Sequence, residues 1–487
     1  MLGLWDIAAS EIMKEDNDEV VKNALDEAKN ELVEFLNGIN SKKIRKSKNL
    51  TDATMLLQQY FRANLKENGW IYRKDFKEDR HYPFVATRIH LREDRQDSRI
   101  KWIEITLVNN SKNKTETTAL KIESENLKEH KNSIPDVVRA LNILFETDEL
   151  KAEYEQYVKD YHEKESMQNE QFVSTKGIKY INDNMFEKEQ NKGRYNDRMS
   201  LFVSSSLVEH AENCPIAFEP LIYVFNLNRH QFEWQDTRDI KLYKYDHTIV
   251  DKLILPKEHK GLIDILTSDF IQDNGSDIIQ GKSGGTIILC KGKAGLGKTL
   301  TAEIYSELKD RPLYSVHSGQ LGTDGTTIEN KLKESFERSE RWGAVLLIDE
   351  ADVYIRERDN DTNHNAIVAS FLRVMEYYNG LMFMTTNREN DIDDAILSRC
   401  MSVLTYKHQV EAVKTELWKI YLEQFNVQYD TALITELNKE FKEISGRDIK
   451  NVTRLVSRYI QGYKLDKATV QTFIDCAIFR GIREITE

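Results

Sequence analysis

Cysteine is scarce in this chain: four residues in 487, Cys214, Cys290, Cys400 and Cys476, with no two at the spacing of metal ligands. That scarcity excludes a disulfide-stapled scaffold and a cysteine-based metal centre. The four read as single buried thiols in a reducing compartment. Long apolar runs are missing too. No stretch approaches the ~20 residues that a membrane helix needs, and the opening "MLGLWDIAAS" has neither the basic start nor the apolar core of a signal peptide. The expected compartment is the cytoplasm, with no membrane partner. Positive charge is in deficit: 69 Lys and Arg stand against 81 Asp and Glu, a formal net charge of −12. This balance argues against broad electrostatic capture of nucleic acid, although a local basic groove fits inside an acidic total. Finally, there is no repeat at solenoid spacing and no H-E-x-x-H, which removes the usual metalloprotease signature.

What remains is a chain too long for one compact core, so two or three domains are expected. Up to about Tyr245 helices and strands are mixed. Val21, Leu25, Ala28, Leu32, Phe35 and Leu36 recur at helical spacing before Gly38. "FVATRIHL" and "IKWIEITLV" alternate as the arms of a hairpin, and Leu150, Tyr154, Tyr157, Val158 and Tyr161 form a packing stripe on a helix. The polar stretches "EKESMQNEQ" and "EKEQNKGRYNDR" read as flexible connections or exposed inserts. "MSLFVSSSLV" and "EPLIYVFNLNRHQFEWQ" read as strands, the latter turning around "NLNRH".

From about Asp246 the texture changes. "TIILCKG", "PLYSVHS", "AVLLIDE" and "GLMFMTTN" are short apolar strands separated by helical patterns. That alternation predicts an α/β fold, a parallel sheet with helices on both faces. After about Lys407 three apolar stripes predict a small helical domain: Val413, Leu417, Ile420 and Tyr421; Ile449, Val452, Leu455 and Val456; Val470, Phe473, Ile474 and Ala477.

Two of those strands carry chemistry. After "TIILC" comes "GKAGLGKT", in which Gly292, Gly297, Lys298 and Thr299 fit G-x-x-x-x-G-K-[ST]. Glycines let backbone N–H groups wrap a phosphate, Lys298 adds a point charge for the β- and γ-phosphates, and the Thr299 hydroxyl suits Mg²⁺. Leu300, Ile304 and Leu308 follow at helical spacing, which aims a helix N-terminus at the phosphate. The expected nucleotide-binding set is Gly292, Gly295, Leu296, Gly297, Lys298, Thr299 and Leu300. About fifty residues on, "AVLLIDEAD" ends a strand in an acid pair. Asp349 would join Thr299 at the Mg²⁺, and Glu350 would polarise the attacking water. ATP and Mg²⁺ are the expected substrate and cofactor.

"GKAGLGKT", "LLIDEAD", "TTNRENDIDDAI" and "SGRDIKN", in this order, resemble the AAA (central-core) ATPases of the AAA+ superfamily. The resemblance covers about Asp246 to the C-terminus, and flanking stretches such as "DKLILPKEHKGLIDIL" resemble a little-characterised subgroup. It implies a large P-loop ATPase domain over 246–407 and a small helical lid over 408–487, preceded by a mixed α+β region, 1–245, that selects a partner. It also implies three further site residues. Asn387 matches the sensor-1 position that orients the lytic water, Arg447 matches a sensor-2 arginine reaching the phosphates from the lid, and Arg399 in "AILSRC" matches an arginine finger inserted into a neighbouring subunit. A homo-oligomer, a hexamer in the family, follows from the same resemblance.

Two departures stand out. The family often has R-x-x-G-R where this chain has the single Arg399. The stretch after Ser318, "GQLGTDGTTIENK", also lacks the aromatic that grips threaded polypeptide. The leading expectation is an ATP-driven remodeller of an unidentified protein client. The alternative is an ATP-gated nucleic-acid loader or motor of a defence or mobile-element system, with "NSKKIRKSKN" as its basic patch.

Overall fold

The structure, a computed structural model, describes residues 50–75, 80–97, 99–123, 133–183, 202–208, 214–252, 261, 285–322, 325–407, 411–465 and 467–482. The expected helix at Val21–Gly38, "NSKKIRKSKN" and "EKEQNKGRYNDR" lie outside the described residues, as does most of "DKLILPKEHKGLIDIL". The chain divides into two compact units, Met1–Leu242 and Tyr243–Glu487.

In the first unit, apolar residues three and four apart make α1 (Leu50–Asn64) amphipathic, with Ala53, Leu57, Tyr60 and Phe61 buried. They share a core with an antiparallel sheet of order β4-β3-β2-β1-β5. Its strands are β1 (Trp70–Asp75), β2 (Arg80–Glu93), β3 (Lys101–Ser111), β4 (Lys114–Glu123) and β5 (Ile143–Phe145). The expected hairpin is the β2–β3 pair, with a register shift between Ala86 and Arg88. Along β3, Ile103, Ile105 and Leu107 are buried while Trp102, Glu104 and Thr106 are half-exposed, the period of two that a one-faced core demands. The short α2 (Ile134–Ala140) adds Val137 and Val138 to the same core.

A second antiparallel sheet has the order β11-β10-β7-β6-β12. It comprises β6 (Gln171–Ser174), β7 (Lys179–Ile181), β10 (Leu221–Asn226), β11 (Gln231–Asp236) and β12 (Ile240–Leu242), beside a separate short pair, β8 (Phe202–Val203) and β9 (Cys214–Pro215). Among the described residues of "MSLFVSSSLV", Phe202 and Val203 are strand, whereas Ser205 turns its hydroxyl onto the Ala86 carbonyl. The tyrosine stripe lies on α3 (Asp148–Ser166) and packs as expected. Tyr154 is buried beside Tyr72 and Ala217, donating its hydroxyl to the Phe218 carbonyl and accepting the Phe218 N–H, each at 3.1 Å. "EKESMQNEQ" is not a flexible connection. Its first half closes α3, because the buried Asn182 amide donates to the carbonyls of Lys164, Glu165 and Met167 and ties down the helix end.

A buried charge network staples this unit. The Asp236 carboxylate, 6% exposed, receives Arg238 through Nε at 2.8 Å and Nη2 at 2.5 Å, and the Tyr82 hydroxyl at 3.0 Å. Arg80 reaches Asp236 at 3.4 Å and clasps Asp239 with both terminal nitrogens. The Arg238 guanidinium sits over the rings of Tyr157 and Tyr82, at 4.3 and 4.9 Å. Asp236→Ala leaves the Arg238 charge buried without its carboxylate. The expected cost is about 3–5 kcal/mol, read as a fall in the denaturation midpoint of this unit; Arg80→Ala, whose charge is more exposed, costs less.

The second unit holds a five-stranded parallel sheet of order β14-β15-β16-β13-β17. The strands are β13 (Thr286–Gly292), β14 (Leu313–His317), β15 (Val345–Asp349), β16 (Leu381–Thr386) and β17 (Ser402–Tyr406). Every residue of Ile287–Cys290, Val345–Ile348 and Leu381–Met384 is buried, so both faces of the sheet are covered. The flanking helices are α4 (Lys298–Leu308), α5 (Ser318–Leu321), α6 (Gly325–Arg341), α7 (Asp352–Ile355), α8 (Thr362–Met375) and α9 (Asp394–Arg399).

A helical bundle follows: α10 (Glu411–Gln424), α11 (Thr431–Glu440), α12 (Gly446–Tyr463) and α13 (Val470–Phe479). Three of these were expected from their stripes. The fourth, α11, starts where the Asp430 carboxylate accepts the Leu433 N–H, and it sends Leu433, Ile434 and Leu437 into a core centred on the fully buried Trp418. Among the cysteines Cys214, Cys290 and Cys476 are buried, while Cys400 is partly exposed. Among the described residues no helix is long and apolar enough to cross a membrane.

Candidate nucleotide-binding site

The parallel register brings three strand ends together. Lys291 of β13 lies beside Thr386 of β16, whose other neighbour is β15 with Asp349 at its end. In such sheets ligands bind at the carboxyl ends of the strands, and here a cavity of about 400 Å³ opens there. It is lined by Gly295–Leu300, Asp349, Glu350, Asn387 and Arg447 among the expected residues.

The loop before α4 owes its shape to glycine. Gly295 has φ +79°, and a β-carbon there would stand 2.6 Å from the Ser445 hydroxyl oxygen and 3.1 Å from the Arg447 β-carbon. The loop thus runs directly under the first turn of α12. Gly292, expected in the binding set, is not among the residues lining the cavity; a β-carbon there would meet the Tyr406 carbonyl at 2.3 Å. α4 begins at Gly297, which has no side chain to cap it, and carries no acidic residue in its first turn. Its leading N–H groups therefore have no side-chain acceptor and face the cavity mouth, the arrangement that favours an anion. Gly295→Ala is expected to lower nucleotide affinity about tenfold or more, from the left-handed backbone alone, and the clash with Ser445 adds to it; a binding titration with ADP reads the change.

Lys298 is 7% exposed, and its ammonium donates to the carbonyls of Gly292 (2.6 Å) and Lys293 (2.7 Å) and to the Asn387 side-chain oxygen (2.9 Å). Burial pulls its pKa below the usual lysine range, and the negative charge of Asp352 opposes that pull most. Thr299 donates its hydroxyl to Asp349 Oδ1 at 2.9 Å. One carboxylate and one hydroxyl are hard oxygen donors, the kind that suit Mg²⁺ once phosphate and water complete the shell. Glu350 follows with φ +54°. Arg447, in the first turn of α12, lines the cavity, and its N–H points to the Gly295 carbonyl at 3.4 Å.

Arg399 is elsewhere. It ends α9, donates to the Ala395 carbonyl at 3.1 Å and stands 3.9 Å from the Glu376 carboxylate, away from the cavity lining.

Sequence reasoning missed several lining residues: Glu303, Thr385, Leu417, Tyr421 and Lys450. Glu303 is one helical turn beyond Thr299, and Lys450 is three residues beyond Arg447, so spacing alone points to both. Leu417 and Tyr421 were read only as part of the bundle's apolar stripe.

Residues 288–407 match the model of the AAA family, the ATPase family associated with various cellular activities. No curated protein matches the chain. Among solved structures, one similar chain belongs to the E. coli MS115-1 HORMA:CdnC:Trip13 complex, with 19% identity, a TM-score of 0.38, and coverage of 47% of this chain and 89% of that one.

Proposed function

We propose that this chain, which carries an AAA ATPase domain, hydrolyses ATP and uses the energy to remodel a protein partner or assembly, acting as a ring-shaped homo-oligomer. One observation carries the ATPase reading: Lys298, Thr299, Asp349, Glu350, Asn387 and Arg447 come from four separate segments, and all line or enter a single cavity. The loop amides and Lys298 hold the β- and γ-phosphates. Thr299 and Asp349 would hold Mg²⁺, which when bound offsets phosphate charge. Glu350 takes a proton from the attacking water, Asn387 orients that water, and Arg447 brings the lid's charge to the phosphates.

Arg399 lies outside its own cavity, which supports the reading that it serves a neighbour's site. The acidic total charge supports a protein client over nucleic acid, and the first unit is the part proposed to select it. The test uses Glu350→Gln chain isolated from its native cells. A protein retained with ATP–Mg²⁺ and released with ADP supports remodelling and identifies the client. Nucleic acid that survives a salt wash, with no protein client, sinks that reading.

The second reading, an ATP-gated nucleic-acid protein, gains one specific observation. Arg454 and Arg458 project at four-residue spacing from the exposed face of α12, outside the cavity lining and with no ion-pair partner among the described residues. A steep salt dependence of single-strand binding, lost in the double alanine variant, would favour it.

A further inference from the structure

The end of β16 does more than present Asn387. Thr385 and Thr386 are 2% and 1% exposed, and as strand neighbours they face opposite ways. The Thr386 hydroxyl turns to Asp352 Oδ1, which also accepts the Asn387 N–H at 3.1 Å. Thr385 faces the cavity and the acid pair. Its hydroxyl donates to Asp349 Oδ1 at 2.5 Å and accepts the Glu350 N–H at 3.0 Å, while its carbonyl accepts the Ala351 N–H at 2.9 Å. One side chain therefore holds the carboxylate of one acid and the backbone of the other.

That backbone needs holding. Glu350, at φ +54°, sits in the left-handed region, which crowds any residue with a β-carbon. A turn of this kind persists only where its surroundings fix it. The bond from the Glu350 N–H to Thr385 is partly buried, and without the hydroxyl that N–H loses this acceptor. On the other side, Thr299 donates to the same Asp349 oxygen. Asp349 is thus gripped from the phosphate loop and from β16 at once.

We propose that Thr385 is a positioning residue for hydrolysis: its single hydroxyl orders the Asp349 carboxylate and the left-handed Glu350 together, without being needed to capture nucleotide. The inference rests on the ATPase reading above and gives a role at that site to a residue that lies in "TTNRENDIDDAI" beside Asn387 but was assigned none. Because Thr385 reaches the reaction only through the two acids, its loss is expected to separate binding from turnover.

The experiment compares the full-length chain with Thr385→Val, Thr385→Ala and Thr385→Ser. The hydroxyl-free variants are expected to lose about 10- to 100-fold in kcat, the worth of a hydrogen bond to a charged group. ADP affinity measured in EDTA stays within about twofold, since binding without metal does not use the acid pair. The Mg²⁺ concentration that half-completes the nucleotide-induced shift in melting temperature rises, a readout independent of turnover. Thr385→Ser restores both properties.

If Thr385→Val does not fold, the smaller Thr385→Ala carries the comparison. Wild-type chain that hydrolyses ATP beside Thr385→Ala that does so equally fast overturns this inference and leaves the ATPase reading standing. Equal losses of kcat and of EDTA-phase ADP affinity, or failure of serine to rescue, overturn it too, because they mark a merely structural residue. Wild-type chain that binds nucleotide but never hydrolyses it overturns both.

Discussion

Glu350→Gln is expected to bind ATP as the wild type does and to hydrolyse it about 10²–10⁴-fold more slowly, the range for losing a positioned general base. The substitution keeps the size and the polar tip of the side chain but removes the basic carboxylate. The left-handed backbone at this position and the N–H bond to Thr385 do not depend on that carboxylate, so the turn should survive. Asp349 cannot readily take over. Its Oδ1 already accepts hydroxyls from Thr299 and Thr385, so that oxygen is occupied where the water would have to approach. Single-turnover phosphate release, set beside a nucleotide titration, separates the two effects. Wild-type turnover by Glu350→Gln would move the proton acceptor elsewhere in the cavity, with Glu303 the next carboxylate to replace.

The parts of this site that the sequence revealed are those whose chemistry is local. "GKAGLGKT" is legible because the loop's shape demands glycine at a position such as Gly295, where φ is +79° and the lid leaves no room for a β-carbon. "LLIDEAD" is legible because a fully apolar strand ending in two acids has few other uses in a parallel sheet. Thr385 and Lys450 lie inside "TTNRENDIDDAI" and "SGRDIKN" and Glu303 one turn beyond Thr299, but none of them, nor Tyr421, is of a residue type that the motif chemistry singles out. Each is an ordinary strand or helix residue until the sheet register and the lid bring it to the phosphate loop. The same limit holds in the first unit. Arg80 and Asp239 pair across 159 positions of sequence, and no periodicity predicts a partner so distant. Its hairpins were legible, since β2 with β3 and β10 with β11 are near neighbours with alternating faces. The order of its two sheets was not, because it is set by which strands bury each other. Even α11 was overlooked despite its Asp430 cap.

Arg399→Ala is expected to retain nucleotide affinity and to lose about 10³-fold in turnover, the lower end for an arginine that stabilises phosphoryl-transfer charge from another subunit. Among the described residues of its own chain Arg399 meets the Ala395 carbonyl and approaches Glu376 at 3.9 Å, with both side chains of the latter pair partly exposed. Pairs of this kind are worth about 0–1 kcal/mol, so giving them up for a neighbour's phosphate costs little. A residue kept for stability alone would instead lower the melting temperature and leave kcat near wild type. Mixing decides whether the action is between subunits. Glu350→Gln supplies an intact Arg399, and Arg399→Ala supplies an intact Glu350. In a head-to-tail ring the equimolar mixture rebuilds complete sites at roughly a quarter of its interfaces. Activity that reappears on mixing two inactive variants therefore requires Arg399 to cross the interface. If every mixture stays silent while each variant still assembles, Arg399 works within its own chain, and the ring reading loses its strongest support.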